Sequence, residues 1–96
     1  MNGQNYLYNY FNTCRQYEYY CDLIRKYKIR DDNDRQHCYL MVKCACDLAL
    51  EALYAFSDAK RELYLNELVA IDRELRKYII CILEVRRAIR FIEHGY

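Results

Sequence analysis

Ninety-six residues are enough for one domain, near the lower limit of what a single apolar core sustains. Fifteen basic against fourteen acidic side chains leave a net charge of +1, which excludes a uniformly polycationic nucleic-acid binder; any anionic contact must come from local clustering. Proline is absent, the two glycines (Gly3 and Gly95) sit at the ends, and no apolar run approaches the ~20 residues that span a bilayer, so a nearly all-α domain over residues 1–96 is expected.

The first helix is expected from about Gln4 to Ile29. Leu7, Tyr10, Cys14, Tyr17, Cys21 and Ile24 recur by threes and fours, and Phe11, Tyr20 and Tyr27 widen that stripe. Arg30-Asp31-Asp32-Asn33-Asp34 reads as a turn, because Asp and Asn side chains bond nearby backbone and cap helix starts. A second helix follows from about Asp34 to Phe56. After Arg35 its only charges are Lys43, Asp47 and Glu51, four apart on one narrow stripe, so most of its circumference must be covered.

Ser57-Asp58 breaks the apolar run and caps a third helix, expected from about Ala59 to Glu93. Such a helix would be about 50 Å long at 1.5 Å per residue. Tyr64, Leu68, Ile71, Leu75, Tyr78, Ile82, Val85, Ile89 and Ile92 form its apolar seam, spaced alternately by four and three. Arg73, Arg76 and Lys77, interleaved with Asp72 and Glu74, read as a solvated face with pairs four apart. The architecture expected is an all-α, up-down-up antiparallel helical bundle with a long third helix and no clear fourth. The second helix and the Tyr78–Leu83 run offer more apolar surface than three helices need. That surplus points to a homo-oligomer.

Reactive groups are sparse. The start, Met-Asn-Gly-Gln-Asn, lacks the basic and apolar segments of a signal peptide, so a cytoplasmic chain with reduced cysteines is expected. Cys14, Cys21, Cys38, Cys44, Cys46 and Cys81 show no C-x-x-C spacing and read first as small core residues, with a metal or redox pair as the lesser reading. Cys44 and Cys46 diverge on one helix. His37 and His94 have no ligand partners in register. No metal, cofactor or catalytic residue is assigned, and the chain reads as a non-enzyme.

Charge distribution says more. Arg25, Lys26, Lys28 and Arg30 close the first helix, Arg35 starts the second, and Arg86, Arg87 and Arg90 close the third. In an up-down-up bundle these meet at one pole and make a candidate RNA- or partner-binding site. Complementation of helix C-termini by basic residues accounts for part of the pattern.

From about His37 to Ile89 the chain resembles the accessory variability determinant proteins of diversity-generating retroelements. These belong to a four-helix-bundle superfamily that includes proteins encoded in intervening sequences of large-subunit ribosomal RNA genes. The likeness lies in Cys38-Tyr39-Leu40-Met41-Val42-Lys43-Cys44, the apolar run Leu48 to Phe56, the break Ser57 to Arg61, Tyr64-Leu65-Asn66-Glu67-Leu68, and Ile71 through Ile79. The resemblance implies a non-enzymatic, ring-like homo-oligomer that binds a reverse transcriptase and its template RNA through basic surface. The alternative expectation is a structural helical adaptor that mediates protein–protein contacts alone.

Overall fold

The computed structural model describes residues 3–16, 18, 19, 22, 27, 29–53, 58–78 and 82–94. Four helices lie among them: α1 (Gly3–Cys14), α2 (Asp32–Ala52), α3 (Asp58–Leu75) and α4 (Leu83–His94). The fold is an all-α helical bundle, as the absence of internal breakers predicts. No strand occurs among the described residues.

The first helix is shorter than its periodicity suggests. It ends at Cys14, with a turn at Arg15 and a bend at Gln16. There the Gln16 N–H donates to the Thr13 carbonyl at 3.1 Å, three residues back instead of four. The Thr13 hydroxyl donates to the Asn9 carbonyl at 2.9 Å, and Arg15 reaches Asp47 of α2 at 3.1 Å. Side chains that bond the local backbone compete with helix continuation. Phe11 is fully buried and anchors α1, while Leu7 and Tyr10 are half-buried. Tyr17, Cys21 and Ile24 of the stripe lie outside the described residues.

α2 begins where the aspartate turn places it. Asp31 is its N-cap (φ −76°, ψ 132°), and Asp31 Oδ1 accepts from the Asp34 N–H at 3.0 Å. The helix closes on Leu53, whose N–H donates to the Ala49 carbonyl at 3.2 Å. Phe56 and Ser57 lie outside the described residues. α2 packs against α1, α3 and α4, burying Cys38, Val42, Ala45, Cys46, Ala49 and Leu50. Its sparse polar stripe is therefore matched by neighbours within one chain, and the expected surplus is largely absorbed there. Lys43 Nζ pairs with Asp47 Oδ2 at 3.1 Å along that stripe, as the four-residue spacing predicts.

The long third helix is two helices. α3 ends at Leu75 and α4 starts at Leu83, folded back to pack against both α2 and α3. The Lys77 N–H donates to Glu74 O at 3.2 Å and the Tyr78 N–H to Leu75 O at 3.0 Å, so the last turn tightens before the chain leaves the helix. Ile79–Cys81 lie outside the described residues.

Dimensions and burial explain the break. A straight helix of about 50 Å would overrun a molecule whose longest Cα extent is 39 Å. Folding back buries Ile82, Val85, Ile89 and Ile92, each at most 6% exposed. Burial of such side chains is worth about 1.5–3 kcal/mol each, whereas a helical hydrogen bond contributes about 1 kcal/mol net. Burial wins without proline or glycine at the joint. One apolar core results, to which Leu68 and Leu75 of α3, Val85 and Ile89 of α4 and the buried side chains of α2 all contribute.

Candidate functional site

α4 has two faces of opposite character. Val85, Ala88, Ile89 and Ile92 turn inward and are buried, while Arg86, Arg87, Arg90, Glu93 and His94 are exposed. A cleft of about 480 Å³ runs along the exposed side, lined by Leu83, Arg86, Arg87, Ile89, Arg90, Glu93 and His94. It gathers three of the arginines singled out in the sequence.

Each of the three is held differently. Arg86 Nη1 lies 3.7 Å from Asp72 Oδ2, and Arg76 Nε lies 3.0 Å from the same oxygen. Asp72 is only 8% exposed, so the two guanidiniums offset the cost of burying its carboxylate. That departs from the solvated face expected for Asp72, although its pairing with Arg76 four residues on is as expected. The guanidinium of Arg87 sits 4.9 Å above the Tyr10 ring of α1, a cation–π contact between helices; hydrogen bonding to Tyr6, and then the Tyr10 oxygen, make it hold its proton more firmly still. Arg90 is exposed and makes no ion pair among the described residues.

The remaining sequence candidates are placed elsewhere or lie outside view. Arg35, in the first turn of α2, donates to the Ile29 carbonyl at 3.4 Å and pairs with Asp32. Arg30 is exposed just before α2. Arg25, Lys26 and Lys28 lie outside the described residues. The fold-back changes the geometry of the expected pole. The start of α2 meets the end of α3, where His37 Nε2 is 3.2 Å from Glu74 Oε1 and the His37 ring is 5.5 Å from Tyr78. α4 therefore begins near that pole and runs away from it. Lys77 at 2.8 Å, and then His37, hold the Glu74 carboxyl below the usual carboxylate range.

A second polar group lies beneath α1, assembled from residues distant in sequence. Cys14 and Cys46 are buried at 2% and 0% exposure, and Glu84 is 2% exposed. The Tyr19 hydroxyl donates to Glu84 Oε1 at 3.4 Å. Hydrogen bonding to the Cys46 thiol, with Tyr19 and Tyr10 adding to it, holds the Cys14 thiol below its ordinary value, against burial and the Glu84 charge. The same bond to Cys14, with burial, pushes Cys46 up. Burial likewise raises Tyr10 and Tyr19, and it pushes the Cys38 thiol up to about 11. Cys44 is exposed while Cys46 is buried, the divergence their spacing requires. Cys21 and Cys81 lie outside the described residues.

Among the described residues no group of His, Cys, Asp and Glu is arranged to hold a metal, and no helix is long and apolar enough to cross a membrane. No family model, curated protein or solved structure matches this chain.

Proposed function

We propose that the chain is a non-enzymatic accessory protein that self-associates and binds template RNA, and with it a reverse transcriptase, through the arginine face of α4. The observation that carries the reading is the cleft in which Arg86, Arg87 and Arg90 stand together on one exposed helix face. Guanidinium groups present planar donor forks that suit phosphate oxygens. Arg90 supplies the charge not engaged by a described carboxylate, and Arg87 is oriented by its tyrosine contacts. The resemblance to retroelement accessory proteins supports RNA as the anion.

Self-association belongs to the same proposal. Leu40, Leu63 and Leu83 support it, since each is about half exposed (48%, 54% and 53%) on three different helices. Light scattering is expected to return a multiple of the chain mass; a monomer mass at micromolar concentration removes this part.

One observation favours a second reading, a helical adaptor with a protein partner. Leu83 and Ile89 line the same cleft as the arginines, and an apolar strip flanked by charge also fits a partner helix. Salt separates the two. Single-stranded RNA held by about three phosphate contacts loses affinity with a log–log salt slope of about −2. Retention of single-stranded RNA on a filter is expected to show that slope. It is expected to fall about tenfold or more in an Arg86→Glu, Arg87→Glu, Arg90→Glu variant whose circular dichroism is unchanged. Equal retention by the variant rejects the α4 site.

A further inference from the structure

The cationic cleft of α4 continues onto α1. Arg87, which lines that cleft, sits 4.9 Å above the Tyr10 ring. Tyr10 in turn lines a second pocket of about 280 Å³, together with Tyr6, Asn9, Thr13, Cys14 and Tyr19. The Arg87–Tyr10 contact thus joins a cationic pocket to an aromatic one. Helical spacing builds the second pocket, because Tyr6, Asn9, Tyr10 and Thr13 recur by threes and fours and fall on one face of α1. Tyr19, beyond the turn that ends α1, adds a third ring. Packing accounts for Tyr10 and Tyr19, which are partly buried against the core. It does not account for Tyr6, a ring that is 58% exposed.

We propose that this tyrosine pocket receives one unpaired base of a single-stranded RNA whose phosphates lie along Arg86, Arg87 and Arg90. The inference rests on the α4 RNA reading and adds to it a place for a base. Scale is the first support. The pocket falls just under the about 300–1,000 Å³ of sites that hold drug-sized molecules, which suits a single flat ring system. Chemistry is the second. Tyrosine rings are stacking platforms, and every base has a face to offer them. Asn9 is exposed and lines the same pocket, and its amide carries both donors and an acceptor for a base edge.

Adjacency is the third support. In a nucleic-acid strand each base is tethered to a phosphate, so a base site serves the strand only if a cation stands next to it. The contact of Arg87 with Tyr10 supplies that neighbour. A duplex can use the arginines but not the pocket, since its bases stay paired and stacked on one another.

The test uses the full chain with a fluorescently labelled oligouridylate and an RNA duplex of equal length, read by fluorescence anisotropy. Tyr6→Ala is expected to weaken binding of the single strand about fivefold or more. Duplex binding is expected to stay within about twofold and the salt slope to stay the same, because the phosphate contacts remain. Tyr6→Phe, which returns the ring without the hydroxyl, is expected to restore most of the lost affinity. In the wild-type protein, 4-thiouridine placed within the strand is expected to photo-crosslink to the peptide that carries Tyr6 and Tyr10. No loss in Tyr6→Ala, or an equal loss for strand and duplex, overturns the inference. Crosslinks confined to α4 peptides overturn it too, in a measurement that requires no variant to fold. In those cases binding that still depends on Arg86, Arg87 and Arg90 leaves the α4 site standing. Full binding by the Arg86→Glu, Arg87→Glu, Arg90→Glu variant instead rejects the α4 site, and the base pocket with it.

Discussion

The α3–α4 hairpin and the α1 contact are held by different physics. Across the hairpin, Leu68, Leu75, Ile82 and Val85 are each 0–1% exposed, and the joint is set by how much aliphatic surface they remove from water. Under α1 one ring, Phe11, does that work, with Phe91 of α4 at 6.3 Å. The rest of the α1 contact is polar or aromatic: Arg15–Asp47, Tyr10–Arg87 and the thiols of Cys14 and Cys46. Aliphatic packing is undirected and tolerates a chain reversal. The α1 contact depends on particular hydrogen bonds and rings, and so can be altered one group at a time.

The largest expected effect tests this contrast directly. Leu68→Ala is expected to lower whole-molecule stability by about 3 kcal/mol, seen as one shifted urea transition, because it opens a cavity where α2, α3 and α4 share a core. Phe11→Ala removes a comparable buried volume. Its loss is expected to appear first as faster amide hydrogen exchange confined to α1. Uniform acceleration across all four helices would make the two regions one cooperative unit.

Alkaline pH comes next. The Cys38 thiol ordinarily titrates near 9.0 and is pushed up to about 11 in the fold, and Cys46, Tyr10 and Tyr19 are raised as well. A thiol kept neutral when folded but free to ionise when unfolded favours the unfolded chain as pH rises. Stability present below 9.0 is therefore lost as pH climbs toward about 11. Thermal melts in reducing buffer are expected to show a falling Tm over that window, with a shallower fall in Cys38→Ala.

Smaller effects bracket the comparison. Asp31→Ala removes the α2 cap and is expected to cost about 1 kcal/mol. Arg15→Ala breaks the ion pair with Asp47 and is expected to cost less than about 1 kcal/mol, since both groups are over a third exposed. Urea titration measures both. A larger loss from Arg15→Ala than from Asp31→Ala would show that the turn after α1 depends on that ion pair.

Much of the core could be read from the sequence. Every member of the Tyr64–Ile92 seam is buried or half-buried except Tyr78, and Tyr78 stands where the chain turns back. The four-three rhythm survives the break, so periodicity alone reads it as one helix. Nothing local marks the joint, because neither proline nor glycine is there. The cost of an overlong helix is felt only once α2 is present to receive α4. The aspartate cap of α2 was legible because Asp31 and Asp34 act within one turn. The arginine face was legible for the same reason, as Arg86, Arg87 and Arg90 are neighbours on one helix. Their partners were not. Asp72 meets Arg86 only through the fold-back, and Cys14 meets Cys46 only by the docking of α1 on α2.

The central place of α2 also sets the order in which the molecule can come apart. α2, α3 and α4 follow one another in the chain and each packs on the other two, whereas α1 packs chiefly on α2. A helix held by one main neighbour opens at lower free energy than helices that hold one another. α1 is therefore expected to be the first piece to lift, ahead of the three helices that share the aliphatic core.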